Sequence, residues 1–387
     1  MIFTDLRFLF LFVCCWVSFF AVPTARRSAV LAFWGTVFYV AYAGVMAVLV
    51  VALVIGAAFS NRRRVAWIAG AAICGLLAFF KIAGSAGWLA RLGVSGAGGW
   101  VMPLGFSYLS FELLHVIIER RRGRIVSVAL VDLLAYALFL PCRIAGPIRR
   151  FPEFTAAVGR AQPSPEHVYA GLLRILIGLA KKLVIADTLA LTAAELNNLT
   201  GRAHAWTIVL AYTLRIYFDF SAYSDLAIGF SRMLGMTVPE NFSYPYFAVN
   251  IREFWNRWHI TLSHWVRDYV FVPLGRTLFG TFLRPWPGLI ATVSYLVTFL
   301  VVGAWHGITG AFLVWGAYHG LLLSAHHVIR LHIPPSISDH AWYRSRMASA
   351  VSVAVTFVFV AVGWVPFMTD LATARRLLVM MFLGGRT

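Results

Sequence analysis

A chain of 387 residues has room for two or three soluble domains, but 60% hydrophobic and 12% charged residues, with a mean hydropathy of +0.79, fit no soluble class. The 33 basic residues outnumber the 15 acidic ones for a net charge of +18. They cluster in short loops beside apolar runs, where positive-inside bias and anionic lipid headgroups account for them, so nucleic acid is excluded as a partner. Composition therefore predicts an all-α, polytopic membrane protein. Lysine occurs only at Lys81, Lys181 and Lys182, an Arg-over-Lys bias that hints at a GC-rich genome. Cys14, Cys15, Cys74 and Cys142 lie in or beside apolar stretches without a C-x-x-C spacing, which indicates neither a disulfide framework nor a metal site.

In chain order, Leu6–Val22 is read as an uncleaved first span, because Val22-Pro23-Thr24 is a poor small-residue cleavage site. Ala29–Phe59 is a run of 31 uncharged residues; as one helix it would measure roughly 46 Å against a hydrocarbon core of about 30 Å. It is either a hairpin or a steeply tilted helix with an interfacial segment, and the second is preferred. Further apolar segments are Val65–Ala83, Trp100–Ile118, Ile125–Ile148, Val168–Ala186, Ala205–Phe218, Leu289–Val302, Ala311–Ile329 and Ala348–Phe367, with a short tail at Leu377–Leu383. About 9–11 membrane segments follow. Several are short or carry Pro103, Pro141 or Gly146-Pro147, so broken or re-entrant helices are expected. There is no internal repeat and no low-complexity linker, and residues 1–387 read as a single integral-membrane domain.

The apolar habit breaks between Asp219 and Asp268, where Asp219, Asp225, Glu240, Glu253 and Asp268 gather. Within this stretch Ile251–Val270 has helical periodicity. Trp255, Trp258, Leu262, Trp265 and Tyr269 fall on one face, and Arg252, Asn256, His259, Ser263 and Arg267 on another. This helix either lies at the interface with its Trp face at headgroup level or lines a wet cavity with its polar stripe, and both can hold.

Leu289–Ile329 contains no Asp, Glu, Lys or Arg, yet Gly303-Ala304-Trp305-His306-Gly307 sits in its middle. An ionisable side chain inside an apolar membrane segment is costly, so it usually faces a cavity or a partner, and burial favours the neutral imidazole that can accept a proton. A structural His bonded to a backbone carbonyl at a helix break is the competing reading, and for His319, His326 and His327 it is the stronger one. His306 is expected between two short, Gly-flanked segments and not deep in a full-length helix. Glu112, His115 and Glu119 form an i, i+3, i+7 stripe; it suits a proton relay or polar lining, but is read first as a helix end reaching the Arg120-Arg121-Arg122 headgroup anchor.

No nucleotide-binding Gly-rich loop, G-x-S-x-G elbow or H-E-x-x-H occurs, which removes ATP-driven pumps, serine hydrolases of that type and zincins. A secondary transporter or flippase of a polymer precursor survives this elimination. Against it stand the ordered motifs Tyr217-Phe218-Asp219-Phe220-Ser221-Ala222-Tyr223-Ser224-Asp225, Pro239-Glu240-Asn241-Phe242, Glu253-Phe254-Trp255-Asn256-Arg257-Trp258-His259-Ile260, Arg267-Asp268-Tyr269, Trp305-His306-Gly307 and Trp315-Gly316-Ala317-Tyr318-His319-Gly320, which favour an enzyme while the transporter stays as the alternative. They resemble the membrane-bound O-acyltransferase family, in the branch of the alginate O-acetylase membrane subunit and the teichoic-acid D-alanylation membrane protein. Ala145-Gly146-Pro147 with Arg149, and Lys181-Lys182 with Ala186-Asp187, also fit, and the resemblance is strongest over 103–323. Two departures stand out: Pro273-Leu274-Gly275 runs into Arg276-Thr277-Leu278 where relatives have a Gly-rich turn, and many relatives continue through further spans past the equivalent of Thr387.

The resemblance implies broken helices around a central funnel, with His306 as the catalytic residue and His259 nearby. Asn256, Arg252 and Ser263 on the polar stripe, with Trp305, Asp219, Asp225 and His319 in the shared motifs, are expected to bind substrate. The implied function is O-acyl transfer towards hydroxyls of an exported polysaccharide. The donor is acetyl-CoA or another acyl thioester, there is no bound cofactor or metal, and the protein is embedded in the lipid of the bacterial inner membrane. An extracytoplasmic partner acyltransferase is compatible with this branch, and D-alanyl transfer to teichoic acid is the alternative. Arg62-Arg63-Arg64 and Arg120-Arg121-Arg122 with Arg124 are expected to be cytoplasmic, where they would concentrate an anionic thioester.

Overall fold

The computed structural model describes residues 2–86, 102–333 and 345–384, so the start of the predicted Trp100–Ile118 segment lies outside the described residues. Helix dominates, and among the described residues no strand forms; one antiparallel bridge joins Phe242 to Trp258. By length and composition, Arg63–Ile82, Pro287–His306 and Arg346–Met368 are able to cross a membrane, and Leu6–Ala21, Met46–Ala58 and Leu130–Cys142 are shorter apolar helices. Trp67 and Ile68 on the first of these helices are 71% and 69% exposed, an arrangement that suits a hydrocarbon surround and not water. Contacts gather the chain into two compact units, one of Met1–Ala180 and Phe220–Glu240, the other of Lys181–Asp219 and Asn241–Thr387.

In the first unit the helices Leu6–Ala21, Arg27–Ala43 and Met46–Ala58 bury an aromatic core that includes Phe8, Phe12, Phe38 and Phe230. The uncharged run Ala29–Phe59 is not one tilted helix. It breaks at Gly44, whose φ of 55° lies in the left-handed region that glycine adopts without a Cβ penalty. Both halves pack on the short helix Leu130–Ala137. The predicted segment Ile125–Ile148 is broken as well, with a 3-10 turn at Leu140–Cys142 carrying Pro141.

The Glu112 stripe departs from its first reading. Glu112 is buried, and its carboxylate accepts from Arg143 at 3.1 Å and from Arg149 at 2.8 Å, both guanidiniums also buried. His115 accepts the backbone N–H of Phe151 at 3.1 Å. Only Glu119 reaches the basic anchor, pairing with Arg122 and Arg124. Two arginines from a later segment, invisible to local periodicity, supply the partners that a buried carboxylate requires.

In the second unit the helices Pro287–His306 and Gly310–His332 form a tightly packed hairpin. A Cβ at Gly303 would collide with the carbonyl oxygen of Phe312, and one at Gly316 with that of Phe299, so the two backbones touch at both levels. His306 is therefore the last residue of a full-length, 20-residue helix and does not lie between two short segments. The predicted segment Ala205–Phe218 extends into a 32-residue helix, Arg202–Met233.

Candidate active site

Ile251–Val270 folds as two short helices, Ile251–Arg257 and Ile260–Val266, followed by a π-turn at Arg267–Phe271. The expected continuous helix fails at Trp258-His259 because Asn241 captures the backbone there. The Asn241 carbonyl accepts from Ile260 N at 2.9 Å, and its side-chain oxygen accepts from the Thr261 hydroxyl at 2.6 Å. The cost is visible at His259, whose φ of 42° is left-handed. Trp255, Trp258, Leu262 and Trp265 are all buried, so the Trp face packs within protein.

His259 faces this polar knot. Its Nδ1 lies 3.3 Å from the Asn241 side-chain oxygen, and donation from Nδ1 makes Nε2 the lone-pair nitrogen of a neutral ring. Burial supports that state by pushing the imidazole pKa down to about 3.

The remainder of the predicted polar stripe does converge. Arg252, Asn256, Ser263 and Arg267 line one cavity of about 330 Å³, together with the apolar walls of Trp255, Phe299 and Val302. His259 is not among the lining residues. Thr298 also lines the cavity, and its buried hydroxyl, like the Trp255 indole N–H, has no hydrogen-bond partner among the described residues.

His306 sits at the C-terminal end of its helix with a half-buried ring inside an aromatic cage. Ring centroids lie 4.5 Å away at Trp305, 4.8 Å at Phe367, 5.3 Å at Trp315 and 6.0 Å at Phe312. Trp315 reaches further: it meets the cavity wall at Trp255, 5.9 Å away, and the fully buried His319 at 5.1 Å. One indole thus touches the His306 ring, the His319 ring and the back of the cavity wall. Local spacing did not single out Trp315 or Asn241, although both lie in motifs that carry the resemblance.

The two predicted aspartates are each engaged by a cation. Asp219 is half-exposed and pairs with Lys182 at 2.8 Å. Asp225 belongs to the first unit, where it is buried and accepts from Arg174 at 2.6 Å. Among the described residues no three metal-ligating side chains converge.

Residues 4–363 match the membrane-bound O-acyltransferase (MBOAT) family. The chain belongs to that family. This MBOAT chain is 36% identical over 285 residues to the Pseudomonas fluorescens protein named "Probable alginate O-acetylase AlgI", covering 72% of the chain and 54% of the relative. It is 31% identical over 274 residues to the teichoic acid D-alanyltransferase of Bacillus subtilis, covering 67% of each. To the peptidoglycan O-acetyltransferase of Helicobacter pylori it is 34% identical over 251 residues, covering 62% of the chain and 44% of the relative. The MBOAT chain spans about half the length of the alginate O-acetylase relatives it matches. Family membership and the apolar helices make it an integral membrane protein.

Proposed function

We propose that this protein is an O-acyltransferase of the bacterial inner membrane that moves acetyl from a cytoplasmic thioester, acetyl-CoA or a related donor, towards hydroxyls of an exported polysaccharide. The observation that carries this reading is the placement of His306 at the end of an uncharged, membrane-length helix, in an aromatic cage that leaves its ring partly accessible. A sugar hydroxyl is a poor nucleophile. A neutral imidazole in such a cage takes its proton as the oxygen attacks the thioester carbonyl, and the resulting imidazolium returns a proton to the leaving thiolate. Rings on several sides of the imidazole keep water from competing as acceptor.

His259 serves the same chemistry from its polar knot, and Arg252, Asn256 and Ser263 hold substrate in the cavity that backs onto Trp255 and Trp315. Trp305 and His319 set the position of the rings. Asp219 and Asp225, each already engaged by a cation, act by organising the long helix they share. The acetyl group is favoured by alginate O-acetylase relatives at 34–36% identity. Delivery to the polymer through an extracytoplasmic acyltransferase partner is part of this proposal.

The test is His306→Ala at matched expression, scored by mass spectrometry of surface polysaccharide. Loss of acetylation is expected. Wild-type acetyl content would overturn the assignment, and polymer-precursor flux without acyl chemistry would point to a transporter.

A further inference from the structure

Two basic loops some sixty residues apart in the chain meet in the first unit. Arg120 donates to the carbonyl of Ala58, and Arg121 to that of Asn61 at 3.5 Å. These contacts set the cluster at 120–124 beside Arg62-Arg63-Arg64, where the membrane-length helix Arg63–Ile82 starts. Among the described residues Glu119 is the one carboxylate ion-paired to either loop, and Arg122 at 2.8 Å and Arg124 at 3.2 Å already share it. Arg62, Arg63, Arg64 and Arg121 are exposed, with no carboxylate within ion-pair distance among the described residues. Cations gathered on two adjoining loops repel, and an anion that bridges the loops removes the repulsion while gaining charge-assisted hydrogen bonds. The flank of the cluster is apolar. Phe59, between the two contacted carbonyls, is 60% exposed, and Trp67 and Ile68 are largely exposed four residues beyond Arg63 and Arg64. That spacing puts cation and apolar side chain on one helix face, a turn apart. Guanidinium followed by indole and aliphatic side chain is the order found where lipid headgroups give way to hydrocarbon. A soluble anion meets the charges and leaves this flank uncovered, whereas a phospholipid covers both.

We propose that the two loops together form a binding site for an anionic phospholipid with two phosphates in its headgroup. Arg62, Arg63 and Arg64 hold one phosphate, Arg121 and its neighbours on the second loop hold the other, and the acyl chains lie against Trp67 and Ile68. Guanidinium suits this task because its planar fork matches phosphate oxygens in pairs, and basic clusters at the ends of membrane helices are suited to headgroups of this charge. A headgroup with one phosphate reaches only one loop and leaves the other uncompensated. The site draws on residues of the first unit alone and does not rest on the acyl-transfer reading.

The experiment places the full chain in neutral phosphatidylcholine nanodiscs doped with equal trace amounts of cardiolipin, which has two phosphates, and phosphatidylglycerol, which has one. Lipid retained on the protein is read by native mass spectrometry. Wild type is expected to retain cardiolipin on the order of tenfold more strongly than phosphatidylglycerol. Arg62→Gln, Arg63→Gln and Arg64→Gln combined bring the two lipids level, and Arg121→Gln alone lowers the preference part-way. Arg62→Lys, Arg63→Lys and Arg64→Lys combined keep most of it, which separates charge from fold. Equal retention of both lipids by wild type, or the full wild-type preference in the triple Gln variant, overturns the proposal. Inorganic pyrophosphate and acetyl-CoA are added as soluble competitors, and neither is expected to displace cardiolipin. Displacement by either at a concentration equal to that of the lipid shows a site for soluble anions and overturns the lipid assignment.

Discussion

The indole of Trp315 meets the imidazole of His306 edge to face, with centroids 5.3 Å apart and planes at 86°. Trp315 is 1% exposed and is itself braced by Trp364 and Phe367, so the orientation of the His306 ring is set by a side chain with no room to move. His306→Ala is expected to lower acyl transfer by roughly 10²–10⁴-fold, the contribution of a positioned general base. Trp315→Leu, which leaves the base in place but removes its brace, lowers the rate by about 10²-fold through misplacement. Single-turnover transfer by the purified variants measures both, and full activity of Trp315→Leu refutes the bracing role.

Cysteine placement distinguishes the cavity from its surroundings. In a background without native Cys, Asn256→Cys and Ser263→Cys react with small polar thiol reagents and are protected by the acyl donor, because both positions line the cavity. His259→Cys stays unlabelled, since that side chain is buried behind Asn241. Equal labelling at all three positions contradicts the assignment.

His259 also gives a pH signature. Its folded pKa is pushed down to about 3 by burial, whereas an unfolded His titrates near 6.5. Between those values the unfolded chain binds a proton that the folded chain refuses, so stability is full above about 6.5 and declines as pH falls towards 3. His259→Gln flattens this decline, as thermal unfolding followed from pH 7.5 to 4.5 will report.

Glu112→Gln leaves Arg143 and Arg149 buried against a neutral amide, a change that costs about 3–5 kcal/mol in comparable buried pairs. Unfolding midpoints in mild detergent measure the loss. A midpoint within error of wild type would mean that the two guanidiniums are solvated in a way their burial does not suggest.

Sidedness follows from two backbone contacts. Arg120 donates to the carbonyl of Ala58, and Arg121 to that of Asn61 at 3.5 Å, which brings the cluster at 120–124 next to the cluster at 62–64. Reporter fusions after each cluster are expected to place both in the cytoplasm; opposite signals from the two fusions would contradict the contacts.

The isolation of His306 in an uncharged run was readable from the local sequence, and the polar stripe of Arg252, Asn256 and Ser263 from helical periodicity, because these three cavity-lining residues lie within about three helical turns of each other. What escaped local reading has long-range causes. The break at His259 comes from Asn241, 18 residues earlier. The partners of Glu112 lie 31 and 37 residues later. The cavity's Thr298 and the cage's Phe367 come from helices that share no local pattern with the stripe. Gly44 is the converse case: a signal present in the sequence, a glycine near the middle of a run too long for one helix, that marked the break preferred against.

The glycine contacts between Pro287–His306 and Gly310–His332 bear on how this chain could be re-engineered under the proposed acyl-transfer reading. Backbones that touch at Gly303 and Gly316 leave no slack to be taken up by a larger donor, and any side chain introduced there would wedge the hairpin apart. The opposite wall offers more latitude. Ser263 and Asn256 stand on short helices interrupted by a left-handed turn, where a change of side chain alters the room available without displacing His306. Libraries aimed at longer acyl groups therefore belong at positions 256 and 263, with the glycines of the hairpin left untouched.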